Sequence, residues 1–463
     1  MAVRLTNHPT LPRMSSPLEI VIQSLDSRIL DDSTIGPELF ARLLAAQREL
    51  GLLHGNRPTC PFLRPHILSR TQYAAIEAAA EIIAGAFEKL VAGALEHQPL
   101  LNALGLTPAE EQMARINPGY STLCVTSRLD AYLTDSGFQF LEYNAENPAG
   151  ISDQMQLEKI LLELPHMRTF LDQHEHWTPK PHKRLLDSLL ATYREWGGQE
   201  PSPQIAIVDW AGVSTASEFE VLKQYFESAG YRTTIVDPHA LEYDGDRLKA
   251  GTFRIDVVYK RVIIHEFLEK FDYTHPLSRA YRDHNVCMSN SFRTKVAHKK
   301  AGFAILSDPQ YADLFTDVEL DTLRHHIPWT RIVRECTTSF DHGERELGEI
   351  LRTERERLVI KPNDDYGGHG VVMGWECSSE EWEHTIAQAF DRDYVVQERV
   401  PVKKVAIPRF ADHGVRNDEM FVDFNPFLFQ NRMEGGLVRL SASSLCNVSS
   451  GGGQTALLVM EGH

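Results

Sequence analysis

The chain is poor in the features that would place it in a membrane, a disulfide scaffold or a nucleic-acid complex. No segment of its 463 residues approaches the roughly 20 apolar residues needed to span a bilayer. Its six cysteines (Cys60, Cys124, Cys287, Cys336, Cys377 and Cys446) lie far apart with no Cys-x-x-Cys pair, so no usual zinc signature is present. Reduced thiols in a cytosol are expected. The opening Met-Ala-Val-Arg-Leu-Thr-Asn-His-Pro lacks the apolar run of a signal peptide, and a cytoplasmic protein is expected. Basic residues are in deficit: 47 Lys and Arg against 64 Asp and Glu give a net charge of −17. That balance argues against nucleic-acid or anionic-membrane partners, though not against a local basic pocket. The middle of the chain has no Gly-x-Gly-x-x-Gly, and no Gly-x-x-x-x-Gly-Lys-Ser/Thr occurs, which excludes a dinucleotide fingerprint there and a Walker-type NTPase. No internal repeat and no Ser-His-Asp or Cys-His nucleophile is legible.

What is present reads as an ordinary soluble protein of two to three domain-sized units, 42% apolar and 24% charged. Pro9, Pro12, Pro17 and Pro37 punctuate short helical pieces in the first 60 residues or so. From Thr71 an amphipathic helix begins, with Ile76, Ala80, Ile83, Phe87, Leu90, Val91 and Ala94 on its core face. A further helical stretch runs from about Ser152 to Asp172. Pro/Gly-rich joints at Trp177 to His182 and Trp196 to Pro203 mark a boundary near residue 200. Gln204 to Asp209, a helix over Ser217 to Ser228, Arg232 to Pro238 and Asp256 to Arg261 then give strand, helix, strand, strand. That spacing implies βαβ packing and a parallel, Rossmann-like sheet. The predicted division is 1–200, 201–290 and 291–463.

The most informative stretch runs from Arg128 to Asn144. It reads as a β-hairpin turning at Asp135-Ser136-Gly137, with Gly137 in the left-handed position. Phe138, Phe140, Glu142 and Asn144 alternate along one face, and Arg128, Asp130 and Tyr132 along the preceding strand. Thr134 opposite Phe138 sets Asp130 opposite Glu142 and Arg128 opposite Asn144. Two carboxylates directly opposed repel unless a positive charge sits between them. Asp130, Glu142 and the Asn144 carbonyl are the hard oxygen donors that suit Mg²⁺. A surface hairpin with solvated charges is the alternative.

A second candidate lies near the end. Leu358 to Lys361 reads as a strand running into Pro-Asn-Asp-Asp-Tyr-Gly-Gly-His-Gly, followed by a strand from Val371. A lysine there can reach phosphate oxygens that also meet the backbone N–H groups of Gly367 and Gly368. The same glycines equally fit a plain hairpin turn. Strands are also read at Asp393 to Val400, Glu419 to Pro426 and Gly435 to Ser441, with a helix around Glu380 to Phe390.

Taken together and in this order, the motifs resemble the circularly permuted ATP-grasp proteins, such as eukaryotic-type glutathione synthetase and the synthetase domain of glutathionylspermidine synthase. The permutation shows in Glu142-Tyr-Asn144 preceding Lys361. The resemblance implies an α/β fold with α+β elements, the Rossmann-like piece being an inserted substrate domain. It implies ATP and Mg²⁺, and a ligase that joins an acid to an amine through an acyl phosphate. It assigns metal ligation to Asp130, Glu142, Asn144 and Asp365, the last standing where the family has Glu, with Tyr366 as an extra residue before the glycines. It assigns phosphate contacts to Lys295 and Lys361, and the adenine hinge to Val396 to Val400 with Gln397, Glu398 and Val400. Arg128 and Arg439 are implied beside the transferring phosphate, Gly451 to Gly453 as a closing loop, and Tyr259 and Arg261 against a substrate carboxylate. No Cys/His amidase domain precedes the motifs, so no hydrolytic second activity is implied. Partners are then a small acid and a small amine (amino acid, short peptide or polyamine), with a homodimer as the commonest soluble assembly.

Overall fold

The structure is a computed structural model describing residues 16–462 except 136, 342, 366, 412–413 and 444–451. Pro17–Asp31 and Pro37–Glu49 are helices that each begin on proline, where the missing N–H costs nothing. The long helix Arg70–Glu96 opens on a capping box between Ser69 and Gln72. All seven residues expected on its core face are buried. The stretch expected as one helix from Ser152 forms two, Asp153–Leu161 and Pro165–Leu171. Pro165 lacks the N–H that a continuous helix would need.

The long helix packs against an antiparallel sheet of six strands. Their order is Gly453–Thr455, Arg432–Ser441, Gly414–Phe429, Thr126–Thr134 and Gly137–Asn144, with Lys404–Ala411 paired to Gly414–Phe429. Both ends of the chain therefore build one sheet. Lys404–Ala411 escaped the sequence reading because Pro408 sits inside it; at a sheet edge a proline is tolerated.

A second sheet is wholly parallel, in the order Cys287–Ser289, Val257–Lys260, Ile205–Val208, Thr233–Val236. The chain leaves Ile205–Val208 on one side and returns on the other, so a crevice opens beyond the ends of Ile205–Val208 and Val257–Lys260, where such sheets bind ligands. Cys287–Ser289 is too short to register as a strand in the sequence.

The third sheet, Thr330–Ile332, Tyr394–Glu398, Leu358–Pro362 and Val372–Met373, is antiparallel and carries helix Ser379–Asp391. Finally, Leu457–Met460 lies between His66–Ser69 and His176–Trp177, tying the last described strand to the first half of the chain.

Candidate active site

Asp130 lies opposite Glu142 and Arg128 opposite Asn144, the pairings the sequence predicts. The route to them differs. Thr134 pairs with Gly137 rather than Phe138, and the register shifts between Asp130 and Ala131 because Leu141 is an extra residue. This β-bulge corrects the expected face. Phe138 and Phe140 pack on the hydrophobic core, while Glu142 and Asn144 turn to the opposite side and line a cavity. Gly137 has φ of 156°, far from the left-handed helical region, and Ser136 lies outside the described residues.

The cavity, of about 910 Å³, lies where the three sheets meet. Arg128, Asp130, Glu142 and Asn144 line it from the hairpin, and Arg439 from the neighbouring strand Arg432–Ser441. Lys361, Asp365, Gly367 and Gly368 line it from the third sheet and its loop. Gln397, Glu398 and Val400 form one end, and Arg261 enters from the parallel sheet.

Lys295 and Tyr259 do not line it. Tyr259 is fully buried and its hydroxyl accepts a hydrogen bond from Arg261 Nη1 at 3.1 Å. Arg261 is itself buried, with Glu218 Oε2 at 3.5 Å, and its Nε takes no partner among the described residues.

The hairpin end is a chain of alternating charges. Asp130 Oδ1 accepts from Arg128 Nε at 2.7 Å and Asn144 Nδ2 at 2.9 Å. Asp130 Oδ2 accepts from Arg128 Nη2 at 3.0 Å and Arg439 Nη2 at 2.9 Å. A carboxylate offers about four lone-pair sites, so Asp130 is saturated and acts here as the anchor of two guanidiniums. Burial raises its carboxyl, but Arg128 and Arg439 outweigh burial and hold it below the usual range. Asn144 spends its amide N–H on Asp130, leaving a carbonyl oxygen as the donor it can offer a metal. Burial likewise pushes Glu142 up, and Lys300 followed by Lys361 brings it below its usual value against the opposing charge of Asp130. The residues therefore fit a Mg²⁺ site through Glu142, the Asn144 carbonyl and Asp365, three hard oxygen donors lining one cavity.

Lys361 donates to Gln397 Oε1 at 2.6 Å, and Gln397 Nε2 to Thr330 Oγ1 at 3.0 Å, so the amide orientation is fixed. Burial depresses Lys361 to about 8 against the pull of Glu142. Glu398 is held by Arg357 at 2.7 Å. In the glycine loop Gly367 and Gly368 have φ of 66° and 79°, and a Cβ on either would meet no side chain or backbone atom closer than 4.0 Å. Tyr366 and Gly451 lie outside the described residues; Gly453 begins the edge strand Gly453–Thr455.

The second lysine at the site is Lys300, which the sequence reading missed. Its Nζ lies 3.2 Å from Glu142 Oε1 and donates to the Asp365 carbonyl at 2.6 Å. Lys295 points away into a buried ion network instead, 2.9 Å from Glu146 and 2.7 Å from Asp364. Lys299 completes it, 2.6 Å from Asp364 and 2.9 Å from Glu110. Neighbours thus diverge: Asp364 and Lys299 face the network, Asp365 and Lys300 the cavity. Glu146, His298 and Asp364 hold ligand atoms within 4.8 Å of one another, but the Lys295 ammonium already neutralises the two carboxylates, so the group does not suit a metal.

Two asparagines lock the frame. Asn290, fully buried, accepts from the N–H groups of Val125 and Thr126 and donates to the carbonyls of Thr126, Ala145 and Glu146. It joins the end of the parallel sheet to both hairpin strands. Asn363 bonds Ala301 N at 2.8 Å and the Leu104 carbonyl at 2.8 Å, fixing the exit of the Lys361 strand beside Lys300.

A polar hairpin facing a lysine-bearing antiparallel sheet across one cavity is the arrangement of an ATP-grasp site. The family model "A circularly permuted ATPgrasp" matches residues 110–397, well over half of the chain, and the protein belongs to that family. An uncharacterized protein of Synechocystis sp. is 24% identical over 369 residues, covering 75% of this chain and 71% of the relative. Among solved structures, a glutathione synthetase-like effector from Globodera pallida, in its apo form, shares the fold with a TM-score of 0.57 at 11% identity, covering 91% of this chain and 96% of that one. A putative gamma-glutamylcysteine synthetase from Methylobacillus flagellatus aligns at a TM-score of 0.41 and 10% identity, over 82% and 85% of the two chains.

Proposed function

We propose that the protein is an ATP-dependent carboxylate–amine ligase that works through an acyl phosphate. The observation that carries this reading is one cavity holding Glu142, Asn144 and Asp365 together with Lys300, Lys361, Arg128 and Arg439. Family membership supports an ATP-dependent ligase in general, and the name of the Globodera pallida fold relative fits the reading.

In this mechanism a carboxylate oxygen of the acid attacks the γ-phosphorus and ADP leaves. The amine nitrogen then attacks the acyl carbon and phosphate leaves. Such transfer needs positioning and charge neutralisation more than covalent help from protein groups. Lys361 and Lys300 neutralise nucleotide phosphates, with the backbone N–H groups of Gly367 and Gly368 beside them. Gln397, Glu398 and Val400 border the base, and Gln397 keeps Lys361 in place. Arg128 and Arg439, braced on Asp130, face the charge that moves from phosphate to acid. Glu142, Asn144 and Asp365 would hold Mg²⁺, which would supply positive charge to neutralise the phosphates. Arg261 offers its remaining Nε to the substrate, braced by Tyr259 and Glu218. The partners are a small acid and a small amine. No helix among the described residues is long and apolar enough to cross a membrane.

The test is release of ADP and phosphate from ATP and Mg²⁺ across amino acids, short peptides, glutathione and polyamines, with Glu142→Ala as control. Release that needs both an acid and an amine and vanishes in Glu142→Ala supports the ligase. Tight ATP binding without turnover on any pair points to a nucleotide-binding protein that no longer ligates.

A further inference from the structure

Asp423 sits in the middle of Gly414–Phe429, opposite Tyr132 on one side and Arg439 on the other. It is 4% exposed and lines the cavity. Its Oδ2 pairs with Arg439 Nη2. Its Oδ1 takes no hydrogen bond from the described residues, and neither does Arg439 Nε make one. Neutralising Arg439 accounts for Oδ2 but leaves Oδ1 unexplained. Buried polar atoms are almost always paired, so an unpaired acceptor and an unpaired donor on one cavity wall mark a place where a ligand completes the bonding. An acceptor beside a donor matches a nitrogen that loses a proton next to an oxygen that gains charge.

Resting on the ligase reading, we propose that Asp423 is a catalytic base: its Oδ1 takes a proton from the ammonium form of the acceptor amine, freeing the nitrogen to attack the acyl phosphate. The nitrogen lone pair forms the C–N bond, the C–O bond to phosphate breaks, and the phosphate leaves with that electron pair. One ammonium proton passes to Asp423 and then to solvent and the second leaves on the phosphate, while Arg439 Nε faces the departing phosphate. The surroundings suit the role. Burial pushes the carboxyl up and Asp130 adds to this, while Arg439 and Arg128 oppose; the balance is about 7, close to the value that serves a base at neutral pH. Tyr132 and Arg439 flank it across the two neighbouring strands, and Asp130 and Arg128 are the other charged groups acting on it.

The experiment uses the full chain, ATP, Mg²⁺ and an acid–amine pair that the wild type couples, and compares that amine with hydroxylamine, which is largely unprotonated near neutral pH. In Asp423→Asn, which keeps the shape, amide formation should fall by about 10²–10⁴-fold, while acid-dependent ADP release and hydroxamate formation persist. Equal loss of amide and hydroxamate, or no loss of either, would overturn the assignment. Should Asp423→Asn not fold, the same split is read on the wild type: amide formation but not hydroxamate formation should decline below about pH 7. Parallel pH profiles for the two products would count against Asp423. Absence of acid-dependent ADP release from the wild type would sink the ligase reading itself, and the base with it.

Discussion

Lys295 and Lys300 stand five positions apart and do opposite work. Lys300 reaches the cavity between Glu142 and the Asp365 carbonyl, whereas Lys295 is wholly enclosed by Glu110, Glu146 and Asp364. Removing one partner of a buried ion cluster leaves uncompensated charge, so Lys295→Ala should cost about 3–5 kcal/mol of stability. Lys300→Ala leaves that cluster intact, so it should cost less stability than Lys295→Ala and weaken ATP binding roughly tenfold or more, on the order of 1.5–3 kcal/mol for a lost charged hydrogen bond. Thermal unfolding and ATP calorimetry on both variants separate the two roles. Asp153 offers a second residue-scale test. Burial and the neighbouring Glu218 carboxylate push it up to about 7, and Gln454 partly offsets them. A carboxyl raised above its unfolded value binds its proton more tightly when folded, so its stabilising contribution fades as pH rises from about 4 to 7. Asp153→Asn, which keeps an oxygen for Gln454, should raise the melting temperature at pH 8 and lose that advantage toward pH 4; the opposite slope would contradict the assignment.

At the scale of elements, the glycine loop is the part whose geometry depends most on one residue type. Gly370 has φ of 68°, and a Cβ there would meet Pro362 Cγ at 2.7 Å. Gly370→Ala should therefore cost on the order of 1–3 kcal/mol through backbone strain and displace the loop that follows Lys361. Weakened ATP binding alongside a lowered melting temperature is expected, while Gly343→Ala, in open space at an ordinary φ, should stay within about 0.5 kcal/mol of wild type. Strand and helix periods made the long helix, the parallel strands and the Asp130–Glu142 pairing readable beforehand. The bulge at Leu141 was not readable, because a period-two pattern cannot announce where one residue is inserted. Nor could the spacing of Lys295, Lys299 and Lys300 say which would face the cavity, since that depends on Asn363 clamping the chain at Ala301. Asp423 did leave a trace: Asp423 and Asn425 alternate with Val422 and Phe424 in the otherwise apolar stretch Met420 to Phe429, the mark of a polar face inside a sheet.

For the molecule as a whole, function depends on three sheets converging from distant parts of the chain. The six-stranded sheet supplies carboxylates and arginines, the four-stranded antiparallel sheet supplies Lys361 and the glycine loop, and the parallel sheet supplies the crevice that ends in Arg261. Asn290 holds the first and third of these together. Family order was legible because motifs survive in sequence; their convergence was not, because hydrogen bonds between residues more than a hundred positions apart leave no local pattern. The central claim is that this junction activates a carboxylate by transferring phosphate to it. The most direct measurement supplies an acid whose carboxylate oxygens carry a heavy isotope, together with ATP, Mg²⁺ and the amine, and reads the phosphate released. The account predicts one labelled oxygen in each phosphate, carried over from the carboxylate; phosphate that takes its oxygen from water instead would contradict it.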